Sequence, residues 1–85
     1  MRMIPRIKNI EARDDLRLLV TFDSNERVLY DVRDDVKTIA EFAPLRTQIG
    51  LFENFQLDES RTCVYWSDRI DIASDTILEY GQSMS

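Results

Sequence analysis

Leu16, Leu18, Val20 and Phe22 alternate with Arg17, Leu19, Thr21 and Asp23, the period of two that a half-buried strand requires. Val28, Tyr30 and Val32 repeat that alternation, and Asp23-Ser24-Asn25-Glu26 stands between the two runs. Asp and Asn side chains bond nearby backbone, and Asn tolerates a left-handed conformation, so these four residues read as a turn. Two alternating runs joined by a turn specify an antiparallel hairpin, which commits the chain to a sheet. A weaker strand around Ile7 to Ala12 precedes it. Ile7 and Ile10 are three apart rather than two, so either a bulge separates them or only one points to the core.

The period then changes. Val36, Ile39, Ala40 and Ala43 fall at helical spacing behind Asp34 and Asp35, acids placed to favour a helix N-terminus. Pro44 cannot continue that helix but can open another turn across Leu45 and Ile49 before Gly50. Phe52, Phe55 and Leu57 lead into a strand, Asp58 to Thr62 is a polar turn, and Val64 and Trp66 alternate against Cys63 and Tyr65, giving a second hairpin. Ser74 reads as the N-cap of a last helix with Ile77, Leu78 and Tyr80 as its apolar stripe. Gly81 stands where a left-handed terminator belongs, and the tail from Gln82 to Ser85 is expected to fray.

The order β-β-β-α-β-β-α over residues 1–85 predicts a single α+β domain, since 85 residues hold one core. Its mainly antiparallel sheet has about five strands, accompanied by two or three short helices. The expected core comprises Leu18, Val20, Phe22, Phe55, Val64, Trp66, Ile72 and Leu78. Trp66, the largest apolar side chain, is expected to pack centrally between the sheet and the last helix. Helices on one side leave the other face of the sheet open. Leu19, Leu29 and Tyr65 lie on the outward register and form the candidate interaction face, because an outward Tyr beside apolar neighbours is a favoured contact residue.

Charge and composition narrow the chemistry. The chain has 11 basic and 16 acidic residues, a net charge of −5, with the first half near neutral and the excess acid in the second. Phosphate backbones are bound by clustered Lys and Arg, and beyond the loose Arg2, Arg6 and Lys8 set there is no such cluster, so direct nucleic-acid binding is disfavoured. No apolar stretch approaches the roughly 20 residues of a membrane span, and the opening MRMIPRIKNI lacks the apolar run of a secretory signal. A cytoplasmic protein that does not enter the membrane is expected. With no His and the single Cys63, a disulfide framework, a Cys/His zinc site and imidazole-based catalysis are excluded.

The remaining constellations are weak. Asp68, Asp71 and Asp75 lack the Gly turn of a tight cation-binding loop. Asp34 with Asp35, and Asp58 with Glu59, are adjacent solvated acids rather than a carboxyl raised in an apolar pocket. Cys63 has no neighbour in sequence that would lower its pKa and reads as a structural thiol. No catalytic residue, metal or cofactor is expected.

The stretches Leu18-Leu19-Val20-Thr21-Phe22, Tyr30-Asp31-Val32, Phe42-Ala43-Pro44-Leu45, Leu51-Phe52, Phe55-Gln56-Leu57-Asp58, Val64-Tyr65-Trp66, Ile70-Asp71-Ile72 and Ser74-Asp75 through Leu78 and Tyr80 resemble the bacterial family known as domain of unknown function 2442. The resemblance covers nearly the whole chain. It departs at Ser24-Asn25, where the family usually has Asp-Gly, and in lacking a Pro after the Trp. It implies a small α+β domain, found alone or fused to a helix-turn-helix segment and often encoded beside another small protein in a toxin–antitoxin-like pair. Combined with the missing chemistry, it suggests a non-enzymatic interaction module whose partner is another small bacterial protein or a second copy. The alternative is a regulatory protein that meets DNA only through a partner or oligomer.

Overall fold

In the computed structural model, which describes residues 4–84, the alternating runs form β2 (Arg17–Phe22) and β3 (Arg27–Asp31), flanked by β1 (Ile7–Arg13). Leu18, Val20 and Phe22 of β2 and Val28 and Tyr30 of β3 are buried, as the period of two requires. Asn25 adopts φ 72° in the connecting turn, and the register of β1 against β2 slips between Ile7 and Asn9, so both the left-handed turn residue and the bulge are present. Leu16, expected within β2, instead ends the preceding turn. Asp15 and Leu16 both take positive φ there, 62° and 59°, and Val32 N–H donates to the Leu16 carbonyl at 2.9 Å.

The chain then forms α1 (Arg33–Thr38), a 3₁₀ turn (Ala40–Phe42) and α2 (Pro44–Thr47). Pro44 occupies the first turn of α2, where its missing N–H has no helical partner to lose. Leu45 and Phe42 are buried, whereas Ile49 is fully exposed. Next come β4 (Gln56–Leu57), β5 (Cys63–Ser67), β6 (Ile70–Ala73), α3 (Ser74–Tyr80) and β7 (Gln82–Ser83). The class is α+β with antiparallel pairing throughout, but the strands form two sheets rather than one of about five. The first has the order β1-β2-β3-β7 and the second β4-β5-β6. Among the described residues no helix is long and apolar enough to cross a membrane.

One core serves both sheets: Leu18, Val20, Phe22, Val64 and Ile72 are buried, together with Ile7, Val28, Val32, Phe52, Ile70 and Ile77. Three expected core residues, Phe55, Trp66 and Leu78, are half-buried and pack against this cluster from its margin. On α3 the fully buried position is Ile77, one residue before the expected Leu78. Trp66 is drawn away from the centre because the β5–β6 register shifts between Tyr65 and Ser67. Its ring stacks on Phe52 with centroids 5.9 Å apart and planes at 17°, and its Nε1 donates to the Phe52 carbonyl at 2.8 Å. The indole N–H needs a partner when it leaves water, and the loop before β4 provides one.

Two further local expectations yield to distant partners. Ser74 is the first residue of α3 rather than its N-cap, and its fully buried hydroxyl donates to the Pro5 carbonyl at 2.6 Å. Gly81 is extended, with φ −78°, rather than left-handed. A Cβ there would collide with the Val28 side chain and lie 2.6 Å from the Ile77 carbonyl, so glycine lets α3 turn tightly against β3. Within the expected fraying tail, Gln82 and Ser83 pair with Leu29 and Val28, and Met84 N–H donates to the Arg27 carbonyl at 2.8 Å. Arg2 of the loose basic set and Ser85 of the tail lie outside the described residues.

Candidate functional site

Because Leu18, Val20 and Phe22 point into the core, their alternate neighbours form the opposite face of the four-stranded sheet. The register aligns Asn9, Thr21 and Arg27 in one row, Glu11, Leu19 and Leu29 in the next, and Arg13, Arg17 and Asp31 in the third. Gln82 of β7 extends the middle row. Apolar side chains thus occupy the centre, and charged groups stand at both ends. Leu19 and Leu29 are direct cross-strand partners at the floor of a groove of about 280 Å³, with Met84 on one side and Arg13, Asp14, Arg17 and Arg27 around it.

Leu19 was expected to lie open on this face, yet it is only 7% exposed. Arg13, Arg17 and Arg27 line the groove around it, and side chains of this length can lay their methylene stems over apolar neighbours while their charged ends stay in water. Leu29 is partly exposed, and Met84 is 49% exposed. Tyr65, the third member of the expected face, is exposed but belongs to the other sheet, where it stands opposite Gln56 and Asp71. The groove therefore unites Leu19 and Leu29 but leaves Tyr65 out. Met84 and the arginine rim were missed because β7, which delivers Met84, has only two residues and no sequence periodicity.

The arginines divide into two kinds. Arg33 grips both carboxylate oxygens of Asp31 at 2.7–3.1 Å, and Arg61 grips both of Asp23 at 2.7 and 2.8 Å. These forks hold both carboxyls below the ordinary Asp value, the Arg hydrogen bonds being the main cause. At the groove, Arg13 meets Glu11 at 3.5 Å, and Arg17 has a 4.0 Å approach to Asp15 with a 3.2 Å bond to the Asp14 carbonyl. Exposed pairs of such length hold a side chain weakly.

The other perturbed groups have structural causes. Burial and the 2.7 Å bond to Asp35 push the Tyr30 hydroxyl well above its ordinary range. Burial, reinforced by Asp71 and Asp58, raises the Cys63 thiol and so disfavours the thiolate a nucleophile needs. Asp58 is lowered first by the Ser60 hydroxyl, and its carboxylate also accepts the Thr62 and Cys63 N–H groups at 2.9 and 3.1 Å. Among the described residues, no three acidic or Cys side chains are grouped to hold a metal ion, so Asp68, Asp71 and Asp75 do not converge.

Against this geometry, the family model described as protein of unknown function (DUF2442) matches residues 7–83. The chain belongs to that family. The match runs from the first residue of β1 to the last of β7, so both sheets, and the strand that carries Met84 to the groove, lie within the DUF2442 unit or at its boundary. Neither the curated proteins nor the solved structures gave a match to this chain.

Proposed function

We propose that this DUF2442 chain is a non-enzymatic interaction module of the bacterial cytoplasm that meets a protein partner through the outer face of its four-stranded sheet. The observation that carries this reading is the cross-strand pair Leu19 and Leu29, set with Met84 in an arginine-rimmed groove on the side of the sheet turned away from the core. An apolar centre within a polar rim is the usual anatomy of a contact patch, and arginine is enriched in such patches. Each perturbed carboxyl, phenol or thiol has a hydrogen-bonding partner or burial as its cause, in keeping with a structural role. The family resemblance adds a setting, that of one member of a toxin–antitoxin-like gene pair.

A photo-crosslinking residue in place of Leu29, and separately in place of Tyr65, tests the reading during co-expression with the product of the adjacent gene. Position 29 is expected to give an adduct of defined mass, either with that product or between two copies, and position 65 to give none. Adducts from position 65 alone would move the contact to the three-stranded sheet and end the proposal.

A further inference from the structure

The outer face carries an order that a general contact surface would not need. Across β2 and β3 the register sets Arg17 beside Asp31, Leu19 beside Leu29 and Thr21 beside Arg27. Two of these rows therefore join groups that attract one another, a charge pair and an apolar pair. Consider a two-fold axis lying in the plane of this face and running along the strands, midway between β2 and β3. Rotation about it brings each β2 position over its β3 neighbour in a second molecule. Position 19, itself only 7% exposed, then lies over the partly exposed Leu29 of the second copy, and Arg17 over Asp31, each apposition occurring twice. Resting on the reading above, we propose that the partner this face fits is a second copy of the same chain, stacked sheet on sheet about that axis.

Charge supports the choice. Two molecules of net charge −5 repel one another, so they can associate only through a region that departs from the average. The three rows carry Arg13, Arg17 and Arg27 against Glu11 and Asp31, and are thus slightly basic on an acidic chain. Arg17 makes a long approach to Asp15, a bond to a backbone carbonyl and a charge interaction with Asp31 of its own chain, none of them a close side-chain ion pair. Asp31 is held in place by the Arg33 fork and presents a fixed carboxylate. Edge-to-edge association is less suited to this sheet: β7 occupies part of the β3 edge, while the β1 edge carries a bulge and Lys8, two devices that discourage strand addition.

Geometry also sets the strength. Stacked sheets lie about 10 Å apart and cross at roughly 30°, so alignment is best at the centre, where the leucines are, and drifts toward the corners. Strands of this length and number give a face of roughly 15 by 18 Å, well below the ~800 Å² per partner of a standard interface. The dimer is therefore weak, and the concentrations at which to read its mass run from roughly 20 µM to 1 mM.

Sedimentation equilibrium of the full chain over that range should show the mass rising toward twice the monomer. Leu29→Glu should weaken association by at least about tenfold, because it places a charge at the apolar centre, whereas Tyr65→Glu on the other sheet should leave it unchanged. A mass that stays monomeric throughout overturns the inference, as does a dimer that Tyr65→Glu weakens and Leu29→Glu does not. Should Leu29→Glu fail to fold, a second measurement decides. Thr21→Cys and Arg27→Cys, each made with Cys63→Ser, are treated with a short bismaleimide alone and as a mixture. With strands about 4.8 Å and sheets about 10 Å apart, the proposed axis brings position 21 within about 11 Å of both position 27 and position 21 of the second copy, so crosslinked dimer should form in each variant and in the mixture; no crosslinked dimer in any of the three contradicts the axis. A Leu29 photo-adduct with the adjacent gene product from a chain that stays monomeric would reject the second copy while leaving the interaction reading in place.

Discussion

The two sheets solve the same problem with different means. In the first, β1, β2 and β3 run for five to seven residues, and β2 and β3 put Leu18, Val20, Phe22, Val28 and Tyr30 into the core. In the second, the strands have two, five and four residues, and Cys63 and Trp66 of β5 remain only half-buried. What the second sheet lacks in apolar burial it replaces with specific polar ties. Asp58 gathers the Thr62 and Cys63 N–H groups, Trp66 bonds the Phe52 carbonyl, and Ser74 bonds that of Pro5. A sheet built by burial tolerates changes in geometry, because apolar packing is non-directional; one built by individual hydrogen bonds is sensitive to each donor and acceptor.

Mutations should separate the two modes. The largest loss is expected from Leu18→Ala, which opens a cavity in the first sheet and should cost about 2–5 kcal/mol in a urea melt, a large part of the ~5–15 kcal/mol typical of a domain. Trp66→Ala should cost less, about 2–3 kcal/mol, because the ring is only half-buried and loses one stack and one hydrogen bond. Hydrogen exchange would sharpen the contrast. Amides of β5 should lose protection in Trp66→Ala before those of β2, and equal loss in both would show that the sheets unfold as one unit.

Ser74→Ala should cost about 1–2 kcal/mol although it removes a single atom, because the Pro5 carbonyl loses its donor in a partly buried setting. A cost indistinguishable from zero would mean that water replaces the serine there. The smallest effect is expected from Asp58→Asn, read as a change of slope with pH. The folded-state pKa of Asp58 lies below its unfolded value, so its contribution is fully present above the unfolded pKa of about 4 and is lost as pH falls through the folded one. Wild type should therefore lose stability on acidification over that interval more steeply than Asp58→Asn, and parallel slopes would remove Asp58 from the acid response.

How far the sequence could be read follows the same division. The β2–β3 hairpin, Asn25 in its left-handed turn and the turn begun by Pro44 were legible, since each depends on neighbours in sequence, while the spacing of Ile7 and Ile10 left the bulge as one of two readings. Leu19 and Leu29 share the register opposite to the core, but the 7% exposure of Leu19 was hidden because the alternation does not report what lies over a side chain. The separation into two sheets, the pairing of β7 and the partner of Ser74 depend on contacts remote in sequence, on which periodicity is silent. Ser74 and Gly81 show the resulting error most plainly. Both carry strong local helix-boundary signals, and both are held instead by distant groups, Pro5 in one case and Val28 in the other.

The bond from Ser74 to Pro5 joins residues 69 apart, and that from Arg61 to the Ile7 carbonyl joins residues 54 apart. A hairpin such as β2–β3 closes in about 1–10 µs, whereas closures over such spans must first overcome the entropy of the intervening chain. During folding β1, β2 and β3 can thus pair while Ile7 and Pro5 still await their partners and neither β7 nor the second sheet has yet docked. The time the chain spends with its apolar inner face uncovered is set by these late closures, so substitutions at Arg61 or Ser74 should bear on aggregation during refolding as well as on the stability of the finished molecule.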